Sequence, residues 1–148
     1  MSQASAMTVS RASRPVTILI VDDDASLRML FRLMLRAEPY HVLEADSGEQ
    51  ALGIAADDRP DVILLDVMLP DINGFEVCRR LRQSPSGSSH KVIMISALAN
   101  VNRAQVAEAG ADGFWPKPIS IQDMRSGIQR LLSLDAASFA AAPLTAPA

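Results

Sequence analysis

Apolar positions along the chain fall into two alternating kinds of run. Thr17-Ile18-Leu19-Ile20-Val21 is short, continuous and rich in β-branched residues, as a strand buried on both faces requires. Val62-Ile63-Leu64-Leu65 and Val92-Ile93-Met94-Ile95 repeat that pattern. Val42 to Ala45 is a weaker version, and Gly113 to Pro116 predicts a short last strand. Between these runs the period lengthens. Leu27, Leu30, Phe31, Met34 and Leu35 recur at helical spacing. Ser47 ahead of Glu49-Gln50 marks a helix start, with Ala51, Leu52 and Ala55 on the inner face. Phe75, Cys78 and Leu81 predict a third helix, and Val101 to Ala109 a fourth that stops at Gly110. Ile121, Met124, Ile128 and Leu131 predict a final amphipathic helix.

Five strands and five helices in strict alternation imply an α/β fold, a parallel sheet sandwiched by helices. The expected architecture is the doubly wound (βα)5, flavodoxin-like sandwich with strand order 2-1-3-4-5. Residues 16–135 would form this domain. Residues 1–15, small and polar, and residues 136–148, rich in Ala and Pro, read as a flexible leader and tail.

In such a sheet the site lies at the carboxyl ends of the strands, around the point where strand order reverses. Strand 1 ends in Asp22-Asp23-Asp24, strand 3 in Asp66, strand 4 in Ser96 and strand 5 in Lys117-Pro118. Acids, a hydroxyl and an ammonium therefore share one edge. Carboxylates this close repel, and burial worsens the repulsion. A hard divalent cation resolves it, and a few oxygen ligands suit Mg²⁺, with Mn²⁺ as a substitute. Asp is also a covalent phosphoryl carrier, and a transferring phosphoryl group spreads charge over three oxygens that Mg²⁺, Lys117 and Ser96 could neutralise.

Composition narrows the field further. The net charge of −3 over 148 residues leaves no basic footprint for direct nucleic-acid binding. The single cysteine, Cys78, excludes an internal disulfide framework and fits a reducing, cytoplasmic setting. The longest apolar runs fall far short of the ~20 residues that span a bilayer, so no membrane association is expected. Cys78 reads as core, His90 as a solvated loop residue, Asp71 as a turn acid, and Arg79, Arg80 and Arg82 as a solvated helix face. Gly74 reads as a turn residue leading into the third helix. Trp115 reads as facing a partner surface or covering a helix.

The segments ILIVDDDASLR, DVILLDVMLPDINGFEVCRRLR, VIMISA and GADGFWPKP, in this order, resemble the receiver domain of two-component response regulators, a CheY-like single domain, over residues 17–134. The resemblance implies that Asp66 is the phosphoacceptor. It implies that Asp23 is a direct Mg²⁺ ligand, Asp22 a ligand through water, and Asp66 and the Met68 carbonyl further ligands. Ser96, the Ala97 backbone and Lys117 would hold the phosphoryl group. Ser96 and Phe114 would be the switch pair, and the Lys117–Pro118 bond would be cis. Met68 and Leu98 stand where the family tunes phosphoryl lifetime. The implied donor is a histidine kinase or a histidine phosphotransfer protein. The implied output is protein binding through the face of the fourth helix, fifth strand and fifth helix, or phosphorelay, with a phosphorylation-dependent homodimer as a further form. Such a domain is a stand-alone switch that supplies its own transfer and slow autodephosphorylation chemistry, not a turnover enzyme.

Two other readings compete. Asp22-Asp23-Asp24-Ala25-Ser26 fits the DxDx[TS] start of haloacid-dehalogenase-like phosphohydrolases, with Asp22 as nucleophile and Asp24 as acid. A pure interaction module that is never phosphorylated is the other.

Overall fold

The computed structural model describes residues 14–85 and 87–133. The leader and tail expected from composition lie, apart from Arg14 and Pro15, outside the described residues. Strands β1 (Thr17–Val21), β2 (His41–Ala45), β3 (Val62–Asp66), β4 (Lys91–Ser96) and β5 (Gly113–Pro116) form one sheet of order β2-β1-β3-β4-β5. Every pairing is parallel. Helices α1 (Ala25–Leu35), α2 (Gly48–Asp58), α3 (Gly74–Gln83), α4 (Arg103–Ala109) and α5 (Ile121–Ser133) alternate with the strands. The fold is the expected flavodoxin-like α/β sandwich.

Strand pleating separates two cores. Ile18, Ile20, Leu64, Ile93 and Ile95 pack under Phe31 and Leu35 of α1 and Met124, Ile128 and Leu131 of α5. Leu19, Val21, Ile63, Leu65, Val92 and Met94 face Ala51 and Ala55 of α2, Val77, Cys78 and Leu81 of α3, and Val106 and Ala109 of α4. Both faces of β1 and β3 are thus buried, which is why their sequences run apolar without alternation.

Polar side chains set where the helices start. Asp24 caps α1 by accepting from the Ser26 and Leu27 N–H groups, Ser47 caps α2, and Asn73 caps α3. Helix α4 is shorter than its apolar pattern suggests, because Asn102 and Gln105 form a reciprocal capping box that starts it at Arg103. Gly110 ends it with φ +89°, a left-handed conformation that glycine adopts without strain. Asp71 is more than a turn acid. Its carboxylate accepts from the Glu49 and Gly48 N–H groups at the start of α2, and these hold its pKa down at about 2.

Three readings of single residues need correction. His90 is not solvated: it is buried, with Nδ1 2.8 Å from the Pro60 carbonyl oxygen. Arg82 does not share the solvated face of Arg79 and Arg80; it turns under α4 to pair with Asp112. Of the two readings of Trp115, covering a helix holds: it is buried against α5, where a Cβ on Gly127 would come within 2.4 Å of its ring. Leu30 leaves the inner face of α1 and, with Met29 and Leu33, is exposed.

Candidate phosphoacceptor site

Strand register brings the acids together. Val21 pairs with Leu65, so Asp22 and Asp66 follow at the same level on neighbouring strands. Asp66 also lies opposite Ile95, one residue before Ser96. Strand order reverses between β1 and β3, which opens the crevice beyond their carboxyl ends. One carboxylate oxygen each from Asp22, Asp23 and Asp66 lies within 4.8 Å of the others. Asp22 and Asp66 are buried and Asp23 is exposed, so the cluster opens to solvent on the Asp23 side.

Lys117, just past β5, reaches across this edge. Its Nζ donates to Asp22 Oδ2 at 2.9 Å and sits 3.5 Å from Asp66 Oδ2. Burial pulls the ammonium down, but the hydrogen bond to Asp22 and the charges of Asp66 and Asp22 outweigh it, and the net shift is upward. Lys117 is therefore a fixed cation. For Asp66 the balance runs the other way. Burial raises its carboxyl, Lys117 opposes, the neighbouring Asp22 charge raises it again, and the pKa stands at about 6. One ammonium shared by two acids does not discharge the site.

The remaining contacts aim the loops. The Met68 N–H donates to Asp66 Oδ1 at 3.4 Å, and the Asp24 N–H to Asp22 Oδ1 at 2.9 Å. Ser96 is buried, and its Oγ accepts from the Leu98 N–H at 3.0 Å. The Lys117 N–H donates to the Ser96 carbonyl at 2.8 Å, tying the β4 and β5 ends together. The Lys117–Pro118 peptide bond is cis. Met68 and Leu98 flank the opening, both exposed, and Ala97 is exposed between Ser96 and Leu98. Phe114 is half-buried and packs at the margin of the core under α4.

Two contributors escaped the sequence reading. Gly74 does more than lead into α3: a Cβ there would lie 2.4 Å from the Asp66 carbonyl oxygen and 2.9 Å from Val67 Cα, so its bareness lets α3 close against the acid-bearing turn. The Gly74 N–H donates to the Val67 carbonyl at that contact. Arg28 reaches back from α1 to the Asp22 carbonyl at 2.7 Å. The helix-forming pattern of α1 gives no sign of that reach. Asp24, by contrast, caps α1 through Oδ1 and does not belong to the cluster of Asp22, Asp23 and Asp66.

The donor chemistry fits a divalent cation: three carboxylates, two of them buried, with excess negative charge. Comparisons with known proteins agree with this geometry. Residues 18–129 match the response regulator receiver domain. The chain is 40% identical over 119 residues to the response regulator MprA of Mycolicibacterium vanbaalenii, covering 80% of this chain and 51% of that protein. It thus spans about half the length of the curated relatives it matches. A CheY-like response regulator receiver domain protein from Methanospirillum hungatei superposes with a TM-score of 0.74 at 29% identity, covering 80% of this chain and 94% of that one. The chemotaxis response regulator CheY4 of Vibrio cholerae gives 0.74 at 28% identity, over 80% of this chain and 99% of its own. With this fold, this cluster of acids and this match, the chain belongs to the response regulator receiver domain family.

Proposed function

We propose that Asp66 accepts a phosphoryl group from a phosphohistidine on a histidine kinase or a histidine phosphotransfer protein. The observation that carries this reading is the convergence of Asp22, Asp23 and Asp66 with Lys117 at one sheet edge. Receiver domains are signalling switches that bind Mg²⁺ through an acidic pocket and are served by histidine kinases. Here Asp23, Asp66 and the Met68 carbonyl would hold the ion directly, and Asp22 through water. The ion supplies positive charge against the incoming phosphoryl oxygens.

An Asp66 carboxylate oxygen attacks phosphorus, the bond from phosphorus to the donor imidazole breaks, and the imidazole nitrogen keeps the electron pair. Lys117, the Ser96 hydroxyl and the Ala97 N–H then face the phosphoryl oxygens. To reach them, Ser96 gives up the bond it accepts from Leu98. That draws the β4–α4 loop inward, and Phe114, half-buried beneath α4, turns into the space released. The altered surface is the α4-β5-α5 face, through which the output is protein binding, relay to a further histidine, or pairing of two phosphorylated copies.

Mass measurement after exposure to acetyl phosphate and Mg²⁺ tests this. Wild type is expected to gain one alkali-labile phosphoryl group, lost with a chelator and absent in Asp66→Asn. Wild type without the gain ends the reading and leaves an interaction module, while Asp66→Asn with it ends the reading and makes another residue, Asp22 first, the nucleophile. The exposed, apolar Met68 and Leu98 flank the opening, and neither can orient an attacking water. The acyl phosphate is accordingly expected to last about tenfold longer in wild type than in Met68→Asn/Leu98→Glu. Faster decay of wild type, followed by loss of the phosphorylated mass, would contradict it.

A further inference from the structure

Asp22 is tied at every polar atom. Its N–H donates to the Ala45 carbonyl at 3.1 Å, its Oδ1 accepts from Asp24 and its Oδ2 from Lys117. Its carbonyl oxygen accepts from Arg28 Nη1 at 2.7 Å. This fourth tie is unlike the others, since it comes from a charged side chain on α1 that is itself braced. Arg28 Nε donates to Glu44 Oε1 on β2 at 2.8 Å, and Arg32 Nη1 lies 3.2 Å from Glu44 Oε2. Both Glu44 oxygens are engaged, and the Arg28 side chain is only 16% exposed.

The Asp22 carbonyl belongs to the peptide that joins Asp22 to Asp23. Strand β1 has ended at Val21, so the sheet no longer fixes this peptide. Its plane sets the direction in which Asp23 leaves, and so the distance of the exposed Asp23 carboxylate from those of Asp22 and Asp66. We infer that Arg28, braced by Glu44, is a positioning residue for the acidic pocket, fixing the Asp22–Asp23 peptide in the orientation that brings the three carboxylates to divalent-cation spacing. The inference rests on the reading of the pocket as a Mg²⁺ site.

Charge and position predict opposite signs here. A guanidinium beside an acidic cluster repels an arriving cation, so on charge alone its removal tightens Mg²⁺ binding. If Arg28 positions the peptide, its removal weakens binding, because groups that orient metal ligands are worth about 10- to 100-fold in affinity.

Calorimetric titration of the metal-free full chain with Mg²⁺ separates the two. Arg28→Gln is expected to raise Kd about tenfold. Arg28→Lys should raise it less, since one ammonium can still donate to the carbonyl. Glu44→Gln should raise it less than Arg28→Gln, since the amide oxygen can still accept from Nε, and this variant gives the answer if Arg28→Gln fails to fold. Unchanged or tighter binding in Arg28→Gln, or in Glu44→Gln where that variant stands in, overturns the inference. Asp23→Asn marks the underlying reading: wild-type binding that survives in Asp23→Asn, or is absent altogether, removes the metal site and the inference with it.

Discussion

Asp66→Asn is expected to stabilise the metal-free protein by about 2 kcal/mol near neutral pH while abolishing its capacity to take up a phosphoryl group. The Asp66 carboxyl titrates at about 6 in the fold against an ordinary value of 3.8, with burial as the main cause. Between those values the folded chain keeps a proton that the unfolded chain has lost. The stability this group contributes is therefore fully present below 3.8 and is lost as pH rises through about 6. A gap of about two pKa units corresponds to at most ~3 kcal/mol. The amide also gives up part of the contact with Lys117 Nζ at 3.5 Å, which lowers the net gain. Urea unfolding with chelator should show the gain above about pH 7 and almost none near about pH 4. A gain equal at both, or a loss near neutrality, would mean that the Asp66 charge is not strained. On the proposed reading of the pocket as a Mg²⁺ site, Mg²⁺ should reverse the order, stabilising wild type more than Asp66→Asn, because the ion would bind the ionised acid. Under the proposed function, stability and phosphoryl acceptance are thus opposed at this one residue.

The parts of the molecule that could be read from the sequence are those in which neighbours along the chain carry the signal. Continuous runs such as Ile18-Leu19-Ile20-Val21 identify strands buried on both faces, and strict alternation with helices leaves few topologies. Asp22, Asp66 and Lys117 could be singled out because each ends or directly follows a strand, and strand ends in a parallel sheet meet at one edge. What could not be read depends on contacts between distant segments. The loop composition around His90 looks solvated, yet the ring is buried against Pro60, thirty residues away in sequence. Gly74 gives no sign of its approach to the Asp66 carbonyl, because the clash it avoids involves backbone from another element. Trp115 follows the half-buried Phe114, and only the pleat of β5, with the bare Gly127 opposite, decides that it turns inward under α5.

Arg82→Ala is expected to lower stability by about 3 kcal/mol, the largest loss among the arginines of α3. Helical periodicity places Arg79, Arg80 and Arg82 together, but their surroundings differ. Arg79 and Arg80 pair with Glu76 in the open, at 41% and 43% side-chain exposure, where ion pairs contribute little. Arg82 Nε donates to the Gly110 carbonyl at 2.7 Å, just past the end of α4. Its Nη1 donates to the Gly87 and His90 carbonyls, and its Nη2 to Asp112 Oδ2 at 2.7 Å. That same Asp112 oxygen accepts the Val92 N–H at 2.8 Å. One guanidinium thus joins α3, the β4 approach, the end of α4 and the entry to β5. Truncation strips a donor from three carbonyls and leaves a half-buried carboxylate unpaired, and partial access to water keeps the loss below that of a fully buried pair. Arg82→Lys should recover less than half, because one ammonium cannot span acceptors that a planar fork meets together. Arg79→Ala, by contrast, should stay within about 0.5 kcal/mol of wild type. Urea denaturation of the three variants at one pH checks this. Similar losses for Arg82→Ala and Arg79→Ala would mean that the buried network is replaced by water without penalty. Acetyl phosphate should still label the folded fraction of Arg82→Ala at Asp66, since the network lies at the opposite end of β4 from Ser96.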